Sequence, residues 1–170
     1  MSATIQHGSQ EVAQNVVYEI TMLRYTYDRL EVMEVDVGHI QPGDVMPRVG
    51  TGIDTQEGRA ASALVESFLL HARVLRDFFC RSPRPKPDDV IAADFVSGWV
   101  PPADSSYPYL ASQKTRLDKA LAHLSIARMQ YVGDNKTWDL PAIRGELDGI
   151  IEQFLQALPA TTSAWFVSVR

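Results

Sequence analysis

Hydrophobic residues recur every three or four positions along four long stretches of this chain, which is the spacing of amphipathic helices. The stretches run from Ser9 or Gln10 to Glu34, from Arg59 to Cys80, from Leu110 to Arg128 and from Leu140 to Leu158. None of them is apolar all round, so each predicted helix must cover one apolar face with its neighbours. The pattern therefore predicts an all-α fold, a four- to five-helix bundle.

The segments between these helices differ in composition. Residues 35–58 are interrupted repeatedly by glycine and proline, which predicts a long irregular connection after the first helix. A β-hairpin over residues 35–49 is the alternative, because valines alternate imperfectly around a Pro-Gly pair. After the second helix, Asp88 is placed to cap a short helix from Asp89 to about Ser97. This short helix would separate the second and third long helices.

Length and composition place the chain among ordinary soluble domains. It has 170 residues, of which 45% are apolar and 22% charged, so we expect one domain over residues 1–170, frayed at residues 1–9. No stretch approaches the ~20 apolar residues of a membrane span, and no signal peptide is evident at the N-terminus. We therefore expect a cytoplasmic protein without membrane contact. Its net charge of -5 repels phosphate backbones, so any RNA binding would need a local basic patch.

Three ionisable residues interrupt the apolar faces of three predicted helices. They are Glu19 in the first helix, His71 in the second and Arg128 in the third. Burying any one of them alone would cost several kcal/mol, so we expect the three side chains to meet inside the bundle. Such a buried polar cluster would either fix the register of the helices or form a ligand-binding or catalytic site.

The sequence offers little for metal or nucleophilic chemistry. His71 and His123 supply two of the ligands that a metal in a helical bundle would need, with His7 or His39 as a third. The Glu-x-x-His pairs of di-iron bundles are absent, as are a nucleophile elbow and a glycine-rich phosphate loop. We therefore expect no metal and no cofactor. The basic residues near the end of the second helix favour a solvated helix terminus over a phosphate site: Arg73, Arg76, Arg81, Arg84 and Lys86.

The predicted third helix carries Arg116 and, six residues further on, His123 on the same flank. In an all-α chain this pair resembles the Arg-x4-6-His motif of the HEPN superfamily. The runs 68–79, 88–90 and 119–124 are also similar to a group of bacterial HEPN-like proteins. The resemblance extends over residues 10–158 in the layout of the helices.

The resemblance implies a small helical bundle that works as a homodimer, with two copies of the motif lining one cleft. In catalytic members of the superfamily, RNA is cut without a metal, which would make His123 the general acid or base and Arg116 the phosphate-binding group. Two features depart from that pattern. Leu117, which follows the arginine, belongs to the apolar stripe, and the chain as a whole is acidic.

We therefore expect a non-catalytic HEPN-like binding or partner module of the bacterial stress or defence type, whose partner is RNA or an antitoxin-like protein. The first alternative is a toxin-like, metal-independent endoribonuclease that uses Arg116 and His123. The second is an unrelated helical bundle with a metal or small-ligand site around His71.

Overall fold

The computed structural model describes residues 7–33, 56–81, 86–120 and 138–170, and these contain helices and no β-strand. The α-helices are α1 (Gln10–Val32), α2 (Gln56–Cys80), α3 (Pro108–Ser112), α4 (Lys114–Ala120), α5 (Leu140–Ala157) and α6 (Ala160–Ser163). Short 3-10 segments cover Ala92–Asp94, Asp104–Ser106 and Ala164–Val169. The all-α prediction is confirmed. None of the helices described is both long and apolar enough to cross a membrane.

Helices α1 and α2 form an antiparallel pair. Ser9 caps α1 by accepting a hydrogen bond from the amide of Val12 at 3.3 Å. Further along, the rings of Tyr27 and Phe68 approach to 5.8 Å across the pair. The inner face of the pair is buried against α5 and the C-terminal segment. This arrangement makes α1 and α2 one layer of the molecule.

Helix α2 begins at Gln56 rather than at Arg59, so the last three residues of the predicted irregular connection 35–58 are helical. Glu57 in its first turn interacts favourably with the positive end of the helix dipole, which supports the earlier start. On the first turns of α2, Ala61 faces the core and is buried, whereas Ala60 is exposed. The alternative hairpin over residues 35–49 lies outside the described residues.

The segment after α2 corrects the prediction of a short α-helix from Asp89 to Ser97. Only Ala92–Asp94 is helical, and it forms a 3-10 turn. Its N-cap residue is Ile91 rather than Asp88. The Asp94 carboxylate accepts a hydrogen bond from the amide of Ile91 at 2.9 Å. The Asp89 carboxylate turns back to the amide of Lys86 at 3.1 Å and holds the preceding residues in a turn.

The third helix is not continuous from Leu110, as the sequence pattern predicts, but breaks at Gln113 into α3 and α4. Each piece is held by a different partner. At the start of α3, the Glu146 carboxylate of α5 accepts the amides of Tyr109 and Leu110 at 2.9 and 2.8 Å. Leu110 and Leu117 are both buried, one on each side of the break. The rest of the predicted helix, residues 121–128, lies outside the described residues.

Helix α5 matches its prediction closely. The Asp139 side chain caps it by accepting the amide of Ala142 at 2.9 Å, and Pro141 lies in its first turn. Its apolar face is buried. The C-terminal segment docks on the core, since Phe166 is fully buried and the Val169 carbonyl accepts a hydrogen bond from Arg24 at 2.6 Å.

One buried cation links α2 to α4. Arg76 was expected at a solvated helix end, but only 3% of its surface is exposed. Its guanidinium donates to Asp77 at 2.6 Å and to Asp118 of α4 at 2.8 Å. Burial would lower the pKa of Arg76, but the hydrogen bonds to the two carboxylates raise it. For Asp118, burial would raise the pKa, but Arg76 and Arg73 hold it below its usual value.

We expect Asp118→Asn to lower the free energy of unfolding by about 1–2 kcal/mol at neutral pH, because it removes the carboxylate that neutralises a buried guanidinium. The pKa of Asp118 is lower in the folded state than its ordinary value of 3.8, so its stabilisation is present above that pH. The stabilisation is lost as the pH falls through the folded-state value. Urea denaturation at pH 7 and at pH 3 measures the difference.

The control is Asp28→Asn, because the Asp28 side chain is 65% exposed. That variant should change the unfolding free energy by less than about 0.5 kcal/mol at either pH. A loss for Asp118→Asn that is the same at both pH values would contradict the ionic account.

Candidate functional site

A carboxylate and an imidazole meet between α1 and α2. The Oε2 atom of Glu19 lies 2.7 Å from Nδ1 of His71. The His71 side chain is 9% exposed and the Glu19 side chain 23%. The ring of Tyr18 stands edge-on to the imidazole, with ring centroids 5.9 Å apart. Two of the three residues expected to form a buried cluster are therefore in contact, while the third, Arg128, lies outside the described residues.

This pair is built from the register of two helices. Glu19 lies on the flank of α1 that faces α2, one turn beyond Val16, and His71 lies one turn before Leu75 on the facing side of α2. A carboxylate at Nδ1 orients the imidazole and leaves Nε2 as its second polar atom. Among the described residues, no group of three His, Cys, Asp or Glu side chains is placed to hold a metal ion.

Arg116 lies on α4, where its side chain is half-buried. Its Nη1 donates to the Gln113 side chain at 3.3 Å, and its Cζ lies 3.7 Å from the ring centroid of Trp138. This distance is that of a close cation–π contact. The guanidinium thus links α4 to Trp138, which lies two residues before α5. The second motif residue, His123, lies outside the described residues.

An open groove lies between the first half of α1, the end of α2 and residues 86–91. Its cavity volume is about 400 Å³. The apolar part of its lining comes from all three segments: Val12, Val16, Val74, Leu75, Phe78, Val90 and Ile91. The polar part consists of four carboxylates, one guanidinium and one amide: Glu19, Asp77, Asp88, Asp89, Arg81 and Asn15. The sequence did not predict this groove, because Asp88 and Asp89 were assigned to the start of a short helix.

Cys80 lies beside a smaller cavity of about 100 Å³ at the end of α2. Burial raises the pKa of its thiol to about 11, although the Tyr107 hydroxyl acts in the opposite direction. Burial and the hydrogen bond to Asp104 also raise the pKa of Tyr107. A thiol with a raised pKa is almost entirely protonated at neutral pH, so Cys80 is a packing residue and a poor nucleophile.

The outer face of the α1–α2 layer carries most of the exposed bulky apolar side chains in the described part of the chain. We define the outer face by two rows of residues, one on each helix. The row on α1 repeats every seven residues: Tyr18, Tyr25 and Val32. The row on α2 begins with small side chains and ends with larger ones: Ala60, Ala63, Ser67, Leu70 and Val74. Tyr25 is 53% exposed and Val32 is 69% exposed.

No protein-family model, no curated protein and no solved structure matches this chain. The similarity of residues 116–123 to the HEPN motif stays a prediction from the sequence.

We expect Glu19 and His71 to stabilise the fold jointly. A double-mutant cycle of Glu19→Ala, His71→Ala and the double variant should give a coupling free energy of about 1 kcal/mol, because the hydrogen bond is largely removed from water. Urea denaturation at neutral pH provides the four unfolding free energies.

The matched control is the hydrogen-bonded pair Glu152 and Gln156, which is exposed on α5. The same cycle with alanine at these two positions should give a coupling below about 0.5 kcal/mol. If the two cycles gave equal coupling, the Glu19–His71 contact would have no special part in the stability of the layer.

Proposed function

We propose that the chain is a non-catalytic interaction module of the HEPN-like kind, and that it binds other protein chains, first of all a second copy of itself. The observation that carries this proposal is the outer face of the α1–α2 layer. A group of exposed bulky apolar side chains on one face marks an interaction site more often than an ordinary stretch of protein surface. Its two rows also differ in the size of their side chains in a way that suits self-association.

The bulky row and the small row are complementary to each other. Tyr18 contacts His71 within one copy, so the antiparallel course places Tyr25 at the level of residues 63–67. A two-fold axis parallel to the helices would lay α1 of one copy over α2 of the other. Tyr25 would then pack on Ala63 and Ser67 of the second copy. Ridges of large side chains would thus fill troughs lined by small ones, as helix packing favours.

The size of the face is sufficient for a stable dimer. Helix α1 has 23 residues and is therefore about 34 Å long. Two adjacent helices are about 20 Å wide, so one copy would cover about 600–700 Å². Two copies together reach about 1,200–1,400 Å², which lies within the range of specific protein interfaces.

The contacts of Arg116 favour binding over RNA cleavage. A catalytic arginine must offer its guanidinium to a phosphate, whereas Arg116 stacks on Trp138 and donates to Gln113. A phosphate bound at the same Nη1 atom would compete with the hydrogen bond to Gln113. The net charge of -5 also opposes the approach of RNA. Both observations support an interaction module in preference to the ribonuclease alternative.

We expect the protein to sediment as a dimer and Tyr25→Asp to weaken self-association by about tenfold or more, because it would bury an unpaired carboxylate. Ala63→Glu should have the same effect from the other row. Analytical ultracentrifugation over about a hundredfold range of concentration measures both dissociation constants. Both positions are exposed in the single copy, and far-UV circular dichroism checks that the variants fold.

The control is Val167→Asp, since Val167 is 70% exposed but belongs to the C-terminal segment. This variant should leave the dimer intact. A wild-type protein that stays monomeric throughout the range, or a dimer that survives both Tyr25→Asp and Ala63→Glu, would disprove the proposed interface.

Cleavage of labelled single-stranded and transfer RNA in EDTA tests the enzymatic alternative. We expect no cutting by the wild-type protein. Cutting that is abolished by His123→Ala and by Arg116→Ala, in variants that remain folded, would establish a metal-independent ribonuclease and overturn the non-catalytic assignment.

A further inference from the structure

The groove between α1, the end of α2 and residues 86–91 is separate from the Arg116 region and lies beyond Tyr18 at one end of the layer. Its volume of about 400 Å³ falls within the range of small-molecule sites, which begins near 300 Å³. Side chains from three segments make its apolar wall, among them Val12, Phe78 and Val90. An apolar wall of this extent accommodates the hydrocarbon part of a ligand.

The charge of the groove limits what that ligand can be. Asp77 is neutralised, because its carboxylate bonds both Arg76 and Arg81 at 2.6 Å. Arg81 is the only arginine or lysine among the described residues that line the groove. Glu19 bonds His71, whereas Asp88 and Asp89 lack an arginine or lysine partner within the lining. Low-dielectric walls strengthen the field of these two carboxylates at the groove.

We propose that this groove binds a small organic cation with an aliphatic body. The hydrocarbon would lie against Val12, Phe78 and Val90, and the charged head would lie at the rim near Asp88 and Asp89. An anion of the same shape would be repelled by the rim, and a neutral analogue would lose the ionic attraction. The proposal depends on the groove alone and does not require the dimer proposed above.

Three probes with the same eight-carbon body separate these contributions: octylammonium, octanoate and octanol. Octylammonium carries the charged group of lysine, which is fully protonated at neutral pH. We expect calorimetric titration of the full chain to show saturable binding of one octylammonium per chain. Octanol should bind more weakly, and octanoate should not bind.

Variants of the lining locate the site. The double variant Asp88→Asn/Asp89→Asn keeps the oxygen that accepts the Lys86 amide but removes two charges, and it should weaken octylammonium binding by about three- to tenfold. Val90→Ser should also weaken binding by about threefold, because it removes apolar wall. Glu152→Gln removes one negative charge from the exposed side of α5 and should have no effect.

Three results of these titrations would overturn different parts of the proposal. Octanoate or octanol binding as tightly as octylammonium would overturn the assignment of a cation, and binding that is unchanged in the groove variants would overturn the location. Absence of any saturable binding of octylammonium would overturn the site itself. Titrating octylammonium into Tyr25→Asp, the variant designed to weaken the dimer, measures ligand binding apart from self-association. Failure of one proposal therefore cannot be mistaken for failure of the other.

Discussion

The packing of aromatic rings around Phe154 is the interaction on which the described structure depends. Phe154 is fully buried on α5. Its ring lies within 6.4 Å, centroid to centroid, of five others, which come from α2, from the segment after it and from the C-terminal segment: Phe78, Phe79, Phe95, Trp99 and Phe166. One side chain thereby joins segments that are far apart in the sequence. Replacing such a residue by alanine typically costs about 3–5 kcal/mol, a large part of the stability of a domain.

This core lies on one side of the α1–α2 layer, and that asymmetry explains both proposed surfaces. A helix packed on one side only presents its opposite side to solvent, and natural sequences usually make that side polar. Here the opposite side carries Tyr18, Tyr25 and Val32 on α1 and an apolar row on α2. At one end of the layer, residues 86–91 form a groove with α1 and α2, and the lining of this groove shares Val74 with the outer face. The two features differ in shape, and they suit occupants of different kinds, a helix surface and a small molecule.

Polar contacts between distant residues set the positions of the shorter elements. Glu146 reaches from α5 to the first amides of α3, and Arg76 reaches from α2 to Asp118 of α4. Arg24 similarly holds the carbonyl of Val169. Each contact satisfies a buried or partly buried polar group that would otherwise be costly. The short helices therefore depend on groups supplied by the long ones.

The sequence by itself determined the all-α class, the start of α1 at Ser9 or Gln10, and the bounds of α5 to within one residue. These features follow from local periodicity and from caps that act within one turn, both of which are visible in neighbouring residues. It also singled out Glu19 and His71, because a charge inside an apolar stripe is conspicuous in any helix. Only the tertiary structure decided that these two side chains meet, that α3 and α4 are separate and that Arg76 is buried.

The reason lies in the range of the interactions. Arg76 and Asp118 are 42 residues apart in the sequence, so neither residue's surroundings along the chain reveal the pairing. The break at Gln113 likewise accompanies contacts that α2 and α5 make with the two sides of it. The groove exists because three segments converge, and the residue pattern of any single segment does not reveal it. Local periodicity specifies which elements form, whereas long-range packing and the pairing of buried charges specify where they lie and what they enclose.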